Sequence, residues 1–367
     1  MNKKSEVRAV VLAAGAGTRL DPLTRRVPKP LVAVANRPVM EYTLRLLKRH
    51  GINKVAANLF HLAELIPAYF DNLKGLDITI NYVKEEKLSG DAGGVRACRK
   101  FLDGGTFVVI MGDVITDVDL SSLIERHRKS KAIVTIALKQ VEDVKHFGVV
   151  ALDEKGFVKA FQEKPQAEEA ISNLASTGIY ICEPEIFKHI PQDGQFGFGH
   201  NLFPKLLELG LPIQGVEVNC YWSDIGTIPA YRQACFDAIS GKVELDLPGE
   251  VLDAKSELHG VKIEGDGHLL LGRNVVLGEG IVVKGNVVVG DNCMIGSGAK
   301  LEDSIVWSDS TLAANSVIKR AVVADGCHLR SFSRWADVVI AESLPGAPTA
   351  KTPRILGRSK SKRAFAS

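Results

Sequence analysis

Up to about residue 245 the chain alternates short apolar runs with amphipathic stretches, and from residue 251 it changes to a six-residue beat. Residues 7–13, 106–111, 132–138, 147–152 and 177–182 are apolar enough to predict buried strands. Pro38, in a first-turn position, predicts a helix that closes at Gly51. Charged helical stretches separate most of these strands, which predicts an α/β domain with a mainly parallel sheet.

The second texture is a repeat. Every sixth residue from Leu271 reads Leu271, Leu277, Val283, Val289, Ile295, Leu301, Trp307 and Ala313. Four places after each stand Val275, Ile281, Val287, Cys293, Ala299, Ile305, Thr311 and Val317. Eight hexads in phase predict aliphatic residues turned inward on each face of a three-sided coil, a parallel β-helix. A period-two antiparallel sheet would not keep that phase. The beat slips near Lys319 and resumes at Val323, and residues 251–270 and 320–340 are expected to cap the coil. From residue 344 the chain is rich in Pro, Ser, Lys and Arg with little to bury, which predicts a disordered basic tail. The domains are therefore expected at 1–245, 246–343 and 344–367.

Composition narrows the function classes. A chain of 367 residues, 46% hydrophobic, can bury a large core. A net charge of +3 argues against a general nucleic-acid partner. Six scattered cysteines without a CxxC pair encode neither a zinc site nor a disulfide framework. No signal-peptide pattern opens the sequence and no apolar run approaches a membrane span, so a cytoplasmic protein without a membrane partner is expected.

Residues 12–31, LAAGAGTRLDPLTRRVPKPL, follow the first strand with a glycine-rich loop and then a series of basic side chains. Glycines admit a ligand close to backbone N–H groups, and Arg and Lys pair with phosphate, so a polyanion is the expected ligand. GAGTRL places Leu20 where a dinucleotide fingerprint needs a third glycine, and no GKS or GKT follows to make a P-loop.

Residues 12–31 resemble the LxxGxGTRLxPLTxxxPKPL signature of the sugar-nucleotide pyrophosphorylases, or nucleotidylyltransferases. The resemblance continues in register through NRPVMEY (36–42), GDAGGVR (90–96), MGDV (111–114), FGVV (147–150), EKP (163–165), TGIY (177–180) and WSDIGT (222–227). It implies a Rossmann-like nucleotidyltransferase domain followed by a left-handed parallel β-helix of hexapeptide repeats. Within the family, the base loop and the short C-terminal repeat domain are most similar to mannose-1-phosphate guanylyltransferases.

The resemblance implies that a sugar 1-phosphate attacks the α-phosphorus of a nucleoside triphosphate in line and releases pyrophosphate. GTP and mannose 1-phosphate are the expected pair, with another triphosphate or sugar, such as glucose 1-phosphate, as the alternative. Leu12, Ala14, Gly15, Gly17, Thr18, Gly90, Asp91 and Gly93 would then bind the nucleotide. Arg19, Lys29 and Lys164 would be catalytic, holding triphosphate and sugar phosphate. Gly148, Glu163, Lys164, Ser176, Thr177 and Tyr180 would line the sugar-phosphate pocket. Asp113 and Asp224, each after a strand-like run, would share a Mg²⁺ ion.

Two positions depart from the family pattern. Asp91 stands in place of Thr in the base loop, and Ser176 in place of Asn beside the sugar. An acid at position 91 could accept from a base or be a turn residue pointing to solvent. A noncatalytic assembly homologue is a further reading, opposed by the presence of Arg19, Lys29, Asp113, Lys164 and Asp224 together. An acyltransferase in the repeat domain would need a catalytic His, whereas His259, His268 and His328 read as loop residues. The open ends of a β-helix need covering, so a homo-oligomer joined through this domain is expected.

Overall fold

The computed structural model describes residues 6–341, so the tail expected at 344–367 lies outside the described residues. The chain forms two compact units. One comprises Pro38–Gly226 with the chain up to Val32, and the other Ala33–Arg37 with the chain from Thr227 onward.

The first unit is built on a nine-stranded sheet. Its strands are β1 (Arg8–Leu12), β2 (Lys54–Leu59), β3 (Thr79–Lys84), β4 (Phe107–Met111), β5 (Val134–Gln140), β6 (Gly148–Leu152), β7 (Val158–Glu163), β8 (Leu174–Cys182) and β9 (Ile213–Glu217). The order is β7-β6-β8-β4-β1-β2-β3, and β5 pairs with both β8 and β9. The pairs β3/β2, β2/β1, β1/β4 and β5/β9 are parallel. From Ala9 to Leu12 β1 is apolar, because both its faces are covered. Ala9 and Val11 join a core with Met40, Leu44 and Leu47 of the helix Val39–Arg49. Val10 joins the opposite core with Ala92, Val95 and Phe198.

Between β5 and β8 the alternation of strand and helix does not hold. β8 runs antiparallel to β4, β5 and β6, β7 runs antiparallel to β6, and the only helical piece among them is the single turn Ala167–Glu169. Antiparallel neighbours need only a turn, so no crossover helix is required there.

In the second unit, parallel strands stack in three ladders, coil upon coil. The first ladder includes the pairs Val261↔Ile281, Val282↔Lys300, Lys300↔Val317 and Val317↔Arg334. The second runs His268↔Asn286, Val287↔Ser304, Ile305↔Val322 and Val322↔Val339. The third runs Val276↔Met294, Met294↔Thr311 and Thr311↔His328.

The ladders refine the hexad phase, which changes first near Asp303 and again between Ile318 and Val323, where the slip near Lys319 is expected. Val283, Val289, Ile295 and Leu301 are buried as expected. Beyond them Ile305 and Trp307 are still buried as expected, but burial also falls on Ser304, Val306, Ser310, Leu312, Ser316 and Ile318, while Ala313, Thr311 and Val317 are only half-buried. Asp303, at φ 43°, makes a corner that shortens the coil from the 18-residue step of Val282↔Lys300 to the 17-residue step of Val287↔Ser304. The expected caps are corrected too. Residues 261–271 are the first coil, and residues 320–340 continue the ladders in register. Val251–Leu252 pairs with the edge of the first coil, antiparallel to Leu269–Leu270. His268 and His328 lie in strands rather than loops.

The helix Ile228–Ile239 packs in this second unit. Thr227 caps it by accepting the Ala230 N–H at 3.3 Å, and Pro229 sits in its first turn. The buried Tyr231 hydroxyl donates to the Ala33 carbonyl at 2.9 Å and accepts from Trp307 Nε1–H at 2.7 Å. Removing that oxygen would leave the buried Trp307 indole N–H without this acceptor, at about 1–3 kcal/mol.

Candidate active site

β1 and β4 are parallel neighbours, so Leu12 and Met111 end side by side and deliver their following loops to one crevice. In open α/β sheets such crevices, outside the carboxyl ends of strands, are where ligands bind. Two cavities open here, of about 410 Å³ and 540 Å³, and Asp91, Met111 and Asp113 line both.

The smaller cavity is lined by Leu12, Ala13, Ala14, Gly15, Lys29, Gly90 and Asp91 among others. Beneath it Asn58 at the end of β2 accepts the Ala13 N–H at 2.9 Å and donates to Glu85 at 2.6 Å. Glu85 in turn accepts the N–H and hydroxyl of Ser89. Asn58 and Glu85 both line the cavity. Neither belongs to a motif; Asn58 stands near the end of β2 and Glu85 in the charged run just after β3, where only the fold reveals their use.

Gly17, Thr18 and Gly93 line neither cavity. Gly17 adopts φ 64° with its α-carbon packed so tightly that a Cβ would fall 2.9 Å from Thr24 Cγ2 and 3.0 Å from Lys29 Cβ. It shapes the loop around Lys29. Thr18 opens the single turn Thr18–Leu20 that carries Arg19. The Gly93 N–H donates to the Phe196 carbonyl at 2.9 Å.

At the junction of the cavities Lys29 bonds Asp113 directly and lies 3.3 Å from Asp224. Asp224 reaches this point because Trp222–Asp224 pairs antiparallel with Val114–Thr116, the short strand that follows Asp113. Arg19 approaches Asp224 at 3.8 Å with most of its side chain in solvent. Burial lowers the Lys29 pKa, but the charges of Asp113 and Asp224 outweigh it and the ammonium ends above its ordinary value. Burial raises the Asp224 carboxyl, and repulsion from Asp113 adds to this against the pull of Lys29 and Arg19.

The larger cavity gathers Gly148, Glu163, Lys164, Ser176, Thr177 and Tyr180. Lys164 sits at φ 48° with its ammonium 3.3 Å from Glu163 Oε1. The Ser176 and Tyr180 hydroxyls meet at 3.2 Å. The Thr177 hydroxyl donates to the Ala137 carbonyl at 2.8 Å. Trp222, Phe147, Phe161, His146 and Gly199 complete the wall and were not among the expected residues. The Trp222 indole N–H donates to the Thr177 carbonyl at 2.9 Å, and its ring packs edge-on against Phe147.

Asp91 corrects the reading of a turn residue pointing to solvent. It borders both cavities, and its Oδ1 accepts the N–H groups of Ala92 and Phe198. Among the described residues no cluster of three or more His, Cys, Asp or Glu is placed to hold a metal, and no helix is long and apolar enough to cross a membrane.

The family described as Nucleotidyl transferase matches residues 8–240, and the one described as GMPPB C-terminal domain matches residues 266–345. A UTP–glucose-1-phosphate uridylyltransferase from Synechocystis sp. is 40% identical over 257 residues, covering 66% of this chain and 66% of that protein. A mannose-1-phosphate guanylyltransferase from Mycobacterium tuberculosis is 34% identical over 237 residues, covering 64% of this chain and 66% of that protein. The chain thus spans about two thirds of the length of these curated relatives. The crystal structure of HddC from Yersinia pseudotuberculosis shares the fold, with a TM-score of 0.55 at 24% identity over 62% of this chain and 98% of that one. The signature loop, the paired cavities and these matches together place the chain in the nucleotidyl transferase family, among the sugar-phosphate nucleotidylyltransferases.

Proposed function

We propose that the protein joins a nucleoside triphosphate to a hexose 1-phosphate, giving a nucleotide sugar and pyrophosphate. The observation that carries this is the Lys29, Asp113 and Asp224 cluster at the junction of two adjoining cavities. The smaller cavity suits the nucleotide, beside the backbone of Ala13–Gly15, and the larger suits the sugar phosphate. One phosphate oxygen of the sugar phosphate forms a bond to the α-phosphorus as the bond to the bridging oxygen breaks, and that electron pair leaves with pyrophosphate. No covalent intermediate is needed, so positioning and charge neutralisation supply the rate.

In this reading Arg19 and Lys29 neutralise the triphosphate, Lys164 meets the sugar phosphate and Glu163 accepts sugar hydroxyls. Asp113 and Asp224 offer two half-exposed carboxylates to one cavity wall, a hard-oxygen donor set with room for phosphate oxygens and water, which fits Mg²⁺. Asp113 and Asp224 would be the residues that hold such an ion, which would supply Lewis-acid neutralisation of phosphate charge.

GTP with mannose 1-phosphate is the favoured pair, supported by the C-terminal domain match and the guanylyltransferase relatives. UTP with glucose 1-phosphate is the second reading, favoured by the uridylyltransferase at 40% identity. Pyrophosphate release over four triphosphates against mannose, glucose and galactose 1-phosphates is expected to show one strongly preferred pair. No turnover with any pair refutes the catalytic reading.

The C-terminal coils are read as a left-handed parallel β-helix that assembles copies of the chain. Support comes from outward Val276 and Met294, paired on neighbouring coils, and from Phe332, which is 73% exposed. Light scattering at micromolar concentration should give a mass above one chain, and a monomer would remove the assembly role.

A further inference from the structure

Asp91 opens the helix Asp91–Ala97 on the nucleotide side, yet it bonds a segment far away in sequence. Its Oδ1 accepts the Ala92 N–H at 2.8 Å and the Phe198 N–H at 2.7 Å, across 107 residues. Backbone bonds run alongside. The Phe196 N–H donates to Ser89 O at 2.8 Å, and the Gly93 N–H to Phe196 O at 2.9 Å. The segment at 196–198 is thereby strapped to the loop that borders the smaller cavity.

One residue further the same segment reaches the other cavity. Gly199 lies so close to Glu163 that a Cβ there would fall 2.0 Å from Oε2. The Phe198 ring lies 4.6 Å from that of Tyr180, whose hydroxyl meets Ser176. Residues Phe198–Leu202 form a short π-helical turn, a geometry frequent at functional sites. Burial raises the Asp91 carboxyl above its ordinary value, the Phe198 and Ala92 N–H groups oppose this, and the charge of Glu163 adds to it.

We infer that Asp91 is a positioning residue that couples the two cavities. By holding the Phe198 N–H it sets Gly199 against Glu163 and Phe198 against Tyr180, so the nucleotide-side loop fixes the sugar-side wall. The inference rests on the transferase reading, and it makes Asp91 act on the sugar phosphate although it stands in the nucleotide loop. A direct contact from Asp91 to the base predicts the opposite dependence.

The test compares Asp91→Ala with Asp91→Asn, assayed with GTP and mannose 1-phosphate and with UTP and glucose 1-phosphate. Asp91→Ala is expected to raise the KM for the sugar phosphate on the order of tenfold while the nucleotide KM stays within about threefold. Asp91→Asn keeps a side-chain carbonyl to accept the Phe198 N–H, and should bring the sugar KM back to within about threefold of the parent. Hydrogen exchange without ligand should quicken across residues 196–202 in Asp91→Ala and not in Asp91→Asn. A rise in nucleotide KM without a rise in sugar KM overturns the inference, as does unchanged exchange at 196–202 in Asp91→Ala. Absence of turnover in the parent with every pair refutes the transferase reading alone, and the exchange comparison then still decides whether the strap exists.

Discussion

Asp113→Asn and Asp224→Asn are each expected to lower turnover on the order of a thousandfold while leaving the melting temperature close to that of the parent. The two carboxylates converge on Lys29 from the turn after β4 and from the short strand Trp222–Asp224, and Asn preserves their volume while removing their charge. Each substitution therefore leaves the shape of the site and takes away one of its two anionic oxygen donors. Asp224 already stands above its ordinary pKa, through burial and then the charge of Asp113, so this site holds its negative charge at a cost. Pyrophosphate release with the preferred substrate pair measures the effect, and circular dichroism monitors the fold. Turnover within about tenfold of the parent in either variant would remove that residue from the catalytic assignment.

The second large effect is expected at Gly148. A Cβ there would lie 2.2 Å from Phe161 Cζ and 2.9 Å from Glu163 Oε2. The Phe161 ring cannot simply retreat, because it packs at 5.1 Å against Phe203, which in turn meets Tyr180 and Phe198. Gly148→Ala should therefore cost about 1–3 kcal/mol of stability through overpacking and push Glu163 from its place. The sugar-phosphate KM should rise by at least an order of magnitude, with the nucleotide KM changed much less. Denaturant titration and steady-state kinetics check the two parts. An unchanged midpoint and an unchanged sugar KM would show that the wall yields, and would withdraw Gly148 from the sugar side.

The parts of this molecule that could be read from sequence are those encoded by neighbours in the chain. Residues 12–31 carry their own glycines and basic side chains, and the apolar run of β1 carries its burial on both faces. What could not be read depends on distant partners or on a single missing residue. Asn58 and Glu85 look like ordinary polar residues until β2 and β3 set them under the cavity. The bond from Asp91 to Phe198 spans 107 residues, and no local pattern announces it. The coil phase shifted at Asp303 because one corner is a residue shorter, and Ile305 and Trp307 stayed apolar beyond it. Trp307 is apolar there for another reason, its contact with Tyr231, so the old beat persisted in the sequence after the coil had left it.

The five residues Ala33–Arg37, which belong to the second unit, have a consequence in time. The Ala33 carbonyl bonds Tyr231, 198 residues later, and the Asn36 side chain donates to the Val289 carbonyl, 253 residues later. At typical synthesis rates those partners leave the ribosome roughly 10–50 s after the segment itself. Through that interval the strands of the first unit can pair while a short piece in their midst waits without its intended neighbours. A nascent chain of this protein must therefore spend its most exposed seconds holding one early segment in reserve for its last-made half, and slowing translation across residues 227–289 would lengthen that exposure.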